Sequence, residues 1–316
     1  MSAASASTAI GTIATASTDP APYRGRFAPS PTGELHLGSL LAAMASYLEA
    51  RRHGGHWLLR IEDLDTPRLQ PGAAGRILAV LEGLGFEWDE TPAYQSQRLP
   101  LYAAALRDLQ QAGLLYRCRC SRRERGAEAA CVADCCERAL PPHLPAAWRL
   151  RLTLQSALGF VDDFQGACPV GPLRRVDPIL QRRDGLFAYA LAVVVDDAAQ
   201  RISAVVRGAD LLEQTHEQIG LQHCLSLPTP RYAHAPLLTE TGGAKLSKSR
   251  HAVAIGGAAP AVVLTHTLAL LAQRPPPELA RASVAQVWDW ARQYWNPQAF
   301  RGIRSLSVAA GAQVRL

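Results

Sequence analysis

Two short segments that lie far apart in the chain have the residue types of a phosphate-binding site. The first is His36-Leu37-Gly38-Ser39, at the predicted start of a helix, and the second is Lys245-Leu246-Ser247-Lys248-Ser249, on a predicted loop. Backbone N–H groups at a helix start favour phosphate, and mobile lysines suit charge that moves as a phosphate leaves. Each segment alone is a weak signal, because turns and solvated loops have similar sequences. Together they predict an ATP site.

Two arginines are candidates for binding an acidic substrate. Arg26 and Arg207 lie near the ends of two predicted strands from different halves of the sequence. Paired guanidinium groups suit a substrate with two carboxylates, because each planar fork binds a carboxylate through two N–H groups. Considered singly, each arginine is more often a solvated surface residue.

The cysteines indicate a metal site. Five of the seven cysteines fall between positions 118 and 136, namely Cys118, Cys120, Cys131, Cys135 and Cys136. In an intracellular enzyme such clustering favours a metal over disulfides, and three or four thiolates close a tetrahedral structural zinc site. Reduced, buried thiols are the alternative interpretation.

The elements that must position these residues alternate between strand and helix. Apolar periodicity and turn residues predict strands at 24–28, 56–61 and 202–206 and helices at 37–52, 73–84, 99–112 and 211–225. Strand, helix, strand is the unit of a parallel sheet, so the predicted fold class is α/β with a Rossmann-like parallel sheet. Acidic residues follow the second strand, at the edge where open parallel sheets bind ligands.

Two later segments, 186–195 and 252–272, are largely apolar or uncharged and lack a clear periodicity. The run Leu186–Val195 is apolar throughout, which predicts a buried strand that ends at Asp196. Residues 252–272 carry no formal charge, but Gly, Pro and polar residues interrupt them, which predicts a loop and then a buried helix from Pro260 instead of a membrane span.

These patterns divide the chain into five parts. The predicted parts are a disordered leader at 1–22, the first half of a nucleotide-binding catalytic domain at 23–116, an inserted zinc-containing module at 117–185, the second half of the catalytic domain at 186–232, and the lysine loop with a short helical C-terminal region at 233–316. The first twenty residues contain no Lys or Arg and no continuous apolar core, so they match neither a transit peptide nor a secretory signal.

The overall charge is mildly basic. The 316 residues include 33 Lys plus Arg against 27 Asp plus Glu, a formal net charge of +6. This excess is compatible with RNA binding, and an ordinary arginine-rich surface explains it equally well.

The motifs together resemble those of one enzyme family. The run Arg26 to Gly33, the acidic segment Glu62-Asp63-Leu64-Asp65 and the lysine loop are similar to those of class I aminoacyl-tRNA synthetases of the glutamate type, over residues 23–249. The resemblance implies that L-glutamate and ATP, the latter with Mg²⁺, form an aminoacyl adenylate. Two departures are Ser39 in place of a second His and Leu246 in place of the usual Met.

The resemblance also implies roles for individual residues. Glutamate is expected among Arg26, Phe27, Ala28, Pro29, Ser30, Glu62, Tyr189 and Arg207, with its ammonium group at Glu62. ATP is expected to contact His36, Gly38 and Lys248, with Ser39 and Lys245 as further catalytic residues. The implied zinc ligands are Cys118, Cys120, Cys131 and Cys135, where Cys131 replaces the family's usual Tyr and Cys136 is a rival for the fourth place.

The segment after the lysine loop distinguishes the branches of the family. Only residues 250–316 follow it, whereas full glutamyl-tRNA synthetases carry a long helical anticodon-binding region there. The chain therefore resembles the stand-alone branch, the glutamyl-queuosine tRNA(Asp) synthetases. This resemblance implies a cytoplasmic monomer that transfers glutamate to the queuosine base of tRNA(Asp). It also implies that the inserted module at 117–185 contacts RNA. A truncated synthetase that charges the 3′ end of tRNA(Glu) and a catalytically silent RNA-binding relative are the alternatives.

Overall fold

The structure is a computed structural model that describes residues 22–120, 124, 135, 140–141, 143–152, 159–169, 177–240 and 258–308. Its strands are β1 (Arg24–Phe27), β2 (His56–Ile61), β3 (Ala93–Tyr94), β4 (Leu115–Cys118), β5 (Ala147–Leu150), β6 (Phe160–Asp162), β7 (Gly166–Cys168), β8 (Ile179–Gln181), β9 (Ala204–Gly208), β10 (Arg231–Ala235), β11 (Leu237–Glu240) and β12 (Ser305–Val308). Its α-helices are α1 (Leu37–Arg52), α2 (Ala73–Gly83), α3 (Leu99–Gln111), α4 (Tyr189–Ala199), α5 (Leu212–Cys224), α6 (Pro260–Leu270) and α7 (Val284–Tyr294).

A parallel sheet forms the centre of the protein. Strands β1, β2 and β3 pair in parallel, as do β9, β10 and β6, while β7 adds an antiparallel edge. The two groups meet at Ser203, whose N–H donates to the Arg24 carbonyl at 3.0 Å and whose hydroxyl accepts from the Arg24 N–H at 2.8 Å. The strand order is therefore β3-β2-β1-β9-β10-β6-β7. This arrangement confirms the predicted α/β class.

The chain reverses its direction of strand addition between β1 and β9. Strands β2 and β3 extend the sheet on one side of β1, and β9 and β10 extend it on the other. Such a reversal leaves a crevice beyond the carboxyl ends of the two central strands, which is where open α/β sheets bind ligands. Arg26 and Arg207 lie on the two strands that flank it.

The predicted buried strand at Leu186–Val195 is wrong. Residues 189–199 form helix α4, and residues 191–197 are buried along its length. A helix that is covered on all sides has no polar face, so its sequence is a continuous apolar run like that of a buried strand. Tyr189 consequently lies in the first turn of a helix, not on a strand. The helix predicted from Pro260 is confirmed as α6.

A small antiparallel sheet follows α3. Strands β4, β5 and β8 pair in the order β4-β5-β8. Strands β5 and β8 lie within the predicted insertion at 117–185, whereas β4 begins two residues before it, at Leu115. Ile179 and Arg182, from β8 and the residue after it, line the same cavity as the central strands. The inserted sheet therefore supplies one wall of the cavity.

Helix α7 packs against the first helix of the chain. The ring of Trp288 lies 4.8 Å, between centroids, from both Tyr47 and Phe86, and its Nε1–H donates to the Leu84 carbonyl at 2.9 Å. Just beyond α7, Trp295 donates to Glu49 of α1 at 2.6 Å. Within the described residues, no helix has the length and apolar character needed to cross a membrane.

Candidate active site

A cavity of about 1250 Å³ lies over the crevice between β1 and β9. It exceeds the roughly 300 to 1,000 Å³ of a typical small-molecule pocket, so it has room for two substrates together. Its walls come from the loop after β1, the start of α1, the end of β2, the first turn of α4, β9 and the inserted sheet. The predicted site residues that line it are Arg26, Phe27, Ala28, Pro29, Ser30, His36, Gly38, Ser39, Glu62, Tyr189 and Arg207.

The start of α1 opens into this cavity. His36 is the N-cap residue, and its Nδ1 accepts the Ser39 backbone N–H at 3.1 Å while the Ser39 hydroxyl lies 3.1 Å from its Nε2. A Cβ at Gly38 would lie 3.2 Å from the His36 ring, so glycine lets the ring fold over the helix start. The first turn carries no acidic residue, whereas Arg51 and Arg52 lie in the last turn. The positive end of the helix dipole is thus available to an anionic ligand.

Arg26 is held by a buried carboxylate. Its Nε and Nη2 donate to the two oxygens of Asp197 at 3.1 and 3.3 Å, and Arg60 Nη1 donates to the same carboxylate at 2.8 Å. Burial acts to raise the pKa of Asp197, but Arg26 and Arg60 outweigh it and lower that pKa. The pair with Asp197 uses the N–H of Nε and one of Nη2, so it fixes the guanidinium and leaves the second N–H of Nη2 and both N–H groups of Nη1 for other partners. The Nη1 and Nη2 edge can therefore still bind a substrate carboxylate through two N–H groups.

Asp197 and its neighbour Asp196 attach α4 to the rest of the site. Asp196 accepts from Arg98 Nε at 2.6 Å, from the Tyr102 hydroxyl at 2.7 Å and from the Gln95 amide at 2.9 Å. Both aspartates are buried, and buried charges persist where paired groups satisfy them. The position of Tyr189 at the start of α4 thus depends on these bonds.

Arg207 has partners on each of its three nitrogens. Nε donates to His234 Nε2 at 3.0 Å, Nη1 to the Tyr189 hydroxyl at 3.2 Å, and Nη2 to Thr215 at 2.8 Å and the Leu211 carbonyl at 3.5 Å. A guanidinium has about five N–H donors, so these partners leave one on Nη1. Burial raises the pKa of Tyr189, and Arg207 opposes that rise.

Glu62 is a buried carboxylate at the end of β2. Its backbone N–H donates to the Pro29 carbonyl at 2.9 Å, which places it beside the loop after β1. Its Oε1 lies 3.5 Å from Arg60 Nη2, and that oxygen has no hydrogen-bond partner among the described residues. Burial raises the pKa of Glu62 to about 7, although Arg60 and Arg26 act to lower it. Because Glu62 lines the cavity, its carboxylate is suited to pair with a ligand's ammonium group.

The described cysteines of the cluster are close enough to share a metal ion. The sulfur atoms of Cys118, Cys120 and Cys135 all lie within 4.8 Å of one another, with Cys120 and Cys135 3.7 Å apart. Tetrahedral zinc with bonds of about 2.3 Å places its sulfurs about 3.8 Å apart. The three thiols therefore fit a zinc ion. Cys131 and its rival Cys136 lie outside the described residues.

Two further predicted residues also lie outside the described part of the chain. Lys245 and Lys248 fall within residues 241–257, so their position relative to the cavity stays a prediction.

Sequence reasoning missed the charged residues behind the cavity. Arg60 interrupts a strand whose other residues at 57–61 are buried and apolar, and His234 lies between two buried alanines. A charged or polar residue in a segment that must be buried signals a partner, but it does not identify which one. The partners Asp162, Asp196 and Asp197 become evident only in the folded chain.

A family description and several relatives match the chain. The description "tRNA synthetases class I (E and Q), catalytic domain" matches residues 23–256. A glutamyl-Q tRNA(Asp) synthetase from Aromatoleum aromaticum is 49% identical over 289 residues, which cover 87% of this chain and 89% of the relative. Another, from Dechloromonas aromatica, is 50% identical over 285 residues, which cover 87% of this chain and 94% of the relative.

Solved structures show the same fold. A glutamate-tRNA synthetase from Elizabethkingia anophelis superposes with a TM-score of 0.73 at 24% sequence identity, over 91% of this chain and 68% of that one. A glutamate tRNA ligase from Elizabethkingia meningosepticum, in complex with its amino acid, superposes with a TM-score of 0.71 at 23% identity, over 91% of this chain and 67% of that one.

Proposed function

The chain belongs to the class I tRNA synthetases of the E and Q type, in the branch of the glutamyl-Q tRNA(Asp) synthetases, and we propose that it activates L-glutamate with ATP and transfers the glutamate to the queuosine base of tRNA(Asp). The relatives of this name match 87% of the chain and 89% to 94% of their own lengths. These relatives support an enzyme of this type.

One observation supports the choice of an acidic amino acid. Arg26 and Arg207 project from the two strands that flank the crevice, and Glu62 lies beside them with an unsatisfied oxygen. Each arginine keeps an N–H group that the described protein groups leave available for a carboxylate. Two cations and one anion match the two carboxylates and one ammonium group of glutamate.

ATP is proposed to bind with its phosphates at the start of α1. His36 and Ser39 would orient them, and Gly38 permits close approach because it has no side chain. Lys245 and Lys248, with Mg²⁺ as part of the ATP complex, are proposed to neutralise the charge that develops on pyrophosphate. The protein contributes mainly position and electrostatics to such a step.

The reaction proceeds in two steps. A glutamate carboxylate oxygen attacks the α-phosphorus of ATP, and the bond to pyrophosphate breaks. A hydroxyl of the queuosine ring then attacks the carbonyl of the adenylate and forms an ester, while its proton is lost and AMP leaves. The wall formed by β8 and Arg182 is proposed to face the RNA, since unstacked loop bases are those that proteins commonly admit to pockets.

The cysteine cluster is proposed to hold one structural zinc. Cys118, Cys120 and Cys135 would provide three thiolates and Cys131 the fourth, which would tie the end of β4 to Cys135. The five-part domain organisation, the cytoplasmic location and the monomeric state likewise remain proposals.

Two assays test the function. The first is exchange of pyrophosphate into ATP without RNA, which we expect to depend on glutamate. The second is transfer of labelled glutamate to tRNA(Asp) with and without queuosine and to tRNA(Glu), each also trimmed of its 3′ terminal adenosine. We expect transfer that tolerates the trimming and requires queuosine. Labelling of tRNA(Glu) that is lost on trimming would instead support 3′-end charging, and exchange activity that is absent would support a silent relative.

A further inference from the structure

A line of hydrogen-bonded side chains crosses three neighbouring strands and ends at Arg207. Asp162 lies on β6, His234 on β10 and Arg207 on β9, and His234 and Arg207 are direct partners in the strand register. Asp162 Oδ2 lies 2.5 Å from His234 Nδ1, and His234 Nε2 lies 3.0 Å from Arg207 Nε. All three side chains are buried, with relative exposures of 1%, 0% and 5%.

The chemistry of the donors fixes the direction of these bonds. An arginine N–H can only donate, so His234 Nε2 accepts and the imidazole is neutral. Its proton is then on Nδ1, where it is donated to Asp162. Burial and the neighbouring Arg207 lower the pKa of His234, which keeps the ring neutral even though Asp162 acts to raise that pKa.

Asp162 itself is held by the backbone. Its Oδ1 accepts the N–H groups of Phe164, Gln165 and His234 at 3.0, 2.8 and 3.0 Å. Its Oδ2 is therefore directed at the imidazole. A carboxylate that orients an imidazole in this way also selects which ring nitrogen carries the proton.

The imidazole then determines which edge of Arg207 faces the cavity. His234 and Thr215 anchor Nε and Nη2, which leaves Nη1 beside the Tyr189 hydroxyl in the cavity wall. We propose that Asp162 and His234 are positioning residues for glutamate recognition, in which Asp162 fixes the Nδ1–H form of His234 and His234 directs the Nη1 edge of Arg207 toward a glutamate carboxylate. This proposal rests on the proposed glutamate site.

Asp162→Asn tests the proposal with almost no change of shape. The Asn oxygen can keep the three backbone N–H bonds, so its NH₂ group faces His234 Nδ1 and donates to it. The imidazole proton must then move to Nε2, where it opposes the N–H of Arg207. We expect the KM for glutamate in pyrophosphate exchange to rise about tenfold to a hundredfold, the scale of one hydrogen bond to a charged group, while the KM for ATP changes less than about twofold.

Two substitutions of His234 provide an independent comparison. His234→Gln keeps an oxygen that can accept from Arg207 Nε and should retain the KM for glutamate within about threefold, whereas His234→Leu should raise it about as much as Asp162→Asn does. Selectivity for glutamate over glutamine should fall in the same variants in which the KM for glutamate rises. The matched control is Asp89→Asn, because Asp89 also accepts a backbone N–H, from Trp57 at 2.6 Å, and does not line the cavity.

A purely structural role predicts a different result. If Asp162→Asn lowers the melting temperature but leaves both KM values unchanged, or raises both equally, the proposal is wrong. Nitrogen NMR of the imidazole provides a direct check, since His234 should be an Nδ1–H form in the wild type and an Nε2–H form in Asp162→Asn. If Asp162→Asn does not fold, equal KM values for His234→Gln and His234→Leu overturn the proposal. Absence of glutamate-dependent exchange in the wild type would instead contradict the proposed function itself.

Discussion

The ionisation of Glu62 should control glutamate binding near neutral pH. Burial raises the pKa of its carboxyl group to about 7, so about half of the unliganded protein carries a neutral Glu62 at that pH. Only the ionised carboxylate can pair with the ammonium group of glutamate. Because the pKa is raised, the binding-competent form is present above pH 7 and is lost as the pH falls through this value.

The size of the effect follows from the pKa. With a pKa of about 7, the competent fraction is about 0.9 at pH 8 and about 0.1 at pH 6, so the KM for glutamate should rise about tenfold between them. Glu62→Gln cannot ionise, and its KM should be high at pH 8, by on the order of a hundredfold, as expected for a buried ion pair that loses one partner. That KM should also be independent of pH over this range.

The assay is pyrophosphate exchange at pH 6, 7 and 8, with the KM for glutamate and the KM for ATP measured separately. The matched control is Glu34→Gln, because Glu34 also lines the cavity but its side chain is 65% exposed. This variant should keep the wild-type pH dependence. A wild-type KM for glutamate that does not change with pH, or a Glu62→Gln protein with the same pH dependence, would refute the reasoning.

Three other predictions concern zinc binding, the packing of Trp288 in the core, and selectivity for glutamate over glutamine. Purified protein should contain one zinc ion per chain. The zinc should be lost in Cys135→Ser and Cys131→Ser but kept in Cys136→Ser and in the control Cys224→Ser. A full zinc content in Cys135→Ser would contradict the proposed zinc site. Trp288→Ala should lower the free energy of unfolding in urea by about 3 to 5 kcal/mol, because Trp288 is buried against Tyr47 and Phe86. The exposed Tyr294→Ala should change it by less than about 0.5 kcal/mol. A loss in Trp288→Ala as small as that would show that the packing of Trp288 does not stabilise the fold. Exchange with glutamine should be weaker than with glutamate by on the order of a hundredfold, and comparable exchange would show that neither Arg26 nor Arg207 binds the side-chain carboxylate of glutamate.

Local signals account for the parts of the fold that were predicted from sequence. The range 37–52 for α1 is correct at both ends, because apolar residues recur at helical spacing and His53-Gly54-Gly55 follows. Strand β2 is also correct at both ends. By contrast, α4 was mistaken for a strand because its valines favour strands and its burial on all sides hides the helical period.

The sequence predicted which residues belong to the site but not the hydrogen bonds and ion pairs that hold them in place. The family motifs place Arg26, Glu62 and Arg207 together, and the structure brings them to one cavity. What the motifs do not contain is the set of buried partners that hold these groups, since Asp197 is separated from Arg26 by 171 residues. Pairings over such distances depend on the tertiary fold, so no local pattern indicates them.

The packing of α7 on α1 has a consequence for the order of events during synthesis. Trp288 donates to a carbonyl 204 residues earlier, and Trp295 donates to a side chain 246 residues earlier. At a translation rate of about 5 to 20 residues per second, the ribosome needs roughly 12 to 50 seconds to add the residues between α1 and its last partner. Throughout that time the part of the apolar surface at Tyr47 that Trp288 covers in the folded protein is exposed in the nascent chain. The nascent chain is therefore expected to bind chaperones until translation is nearly complete.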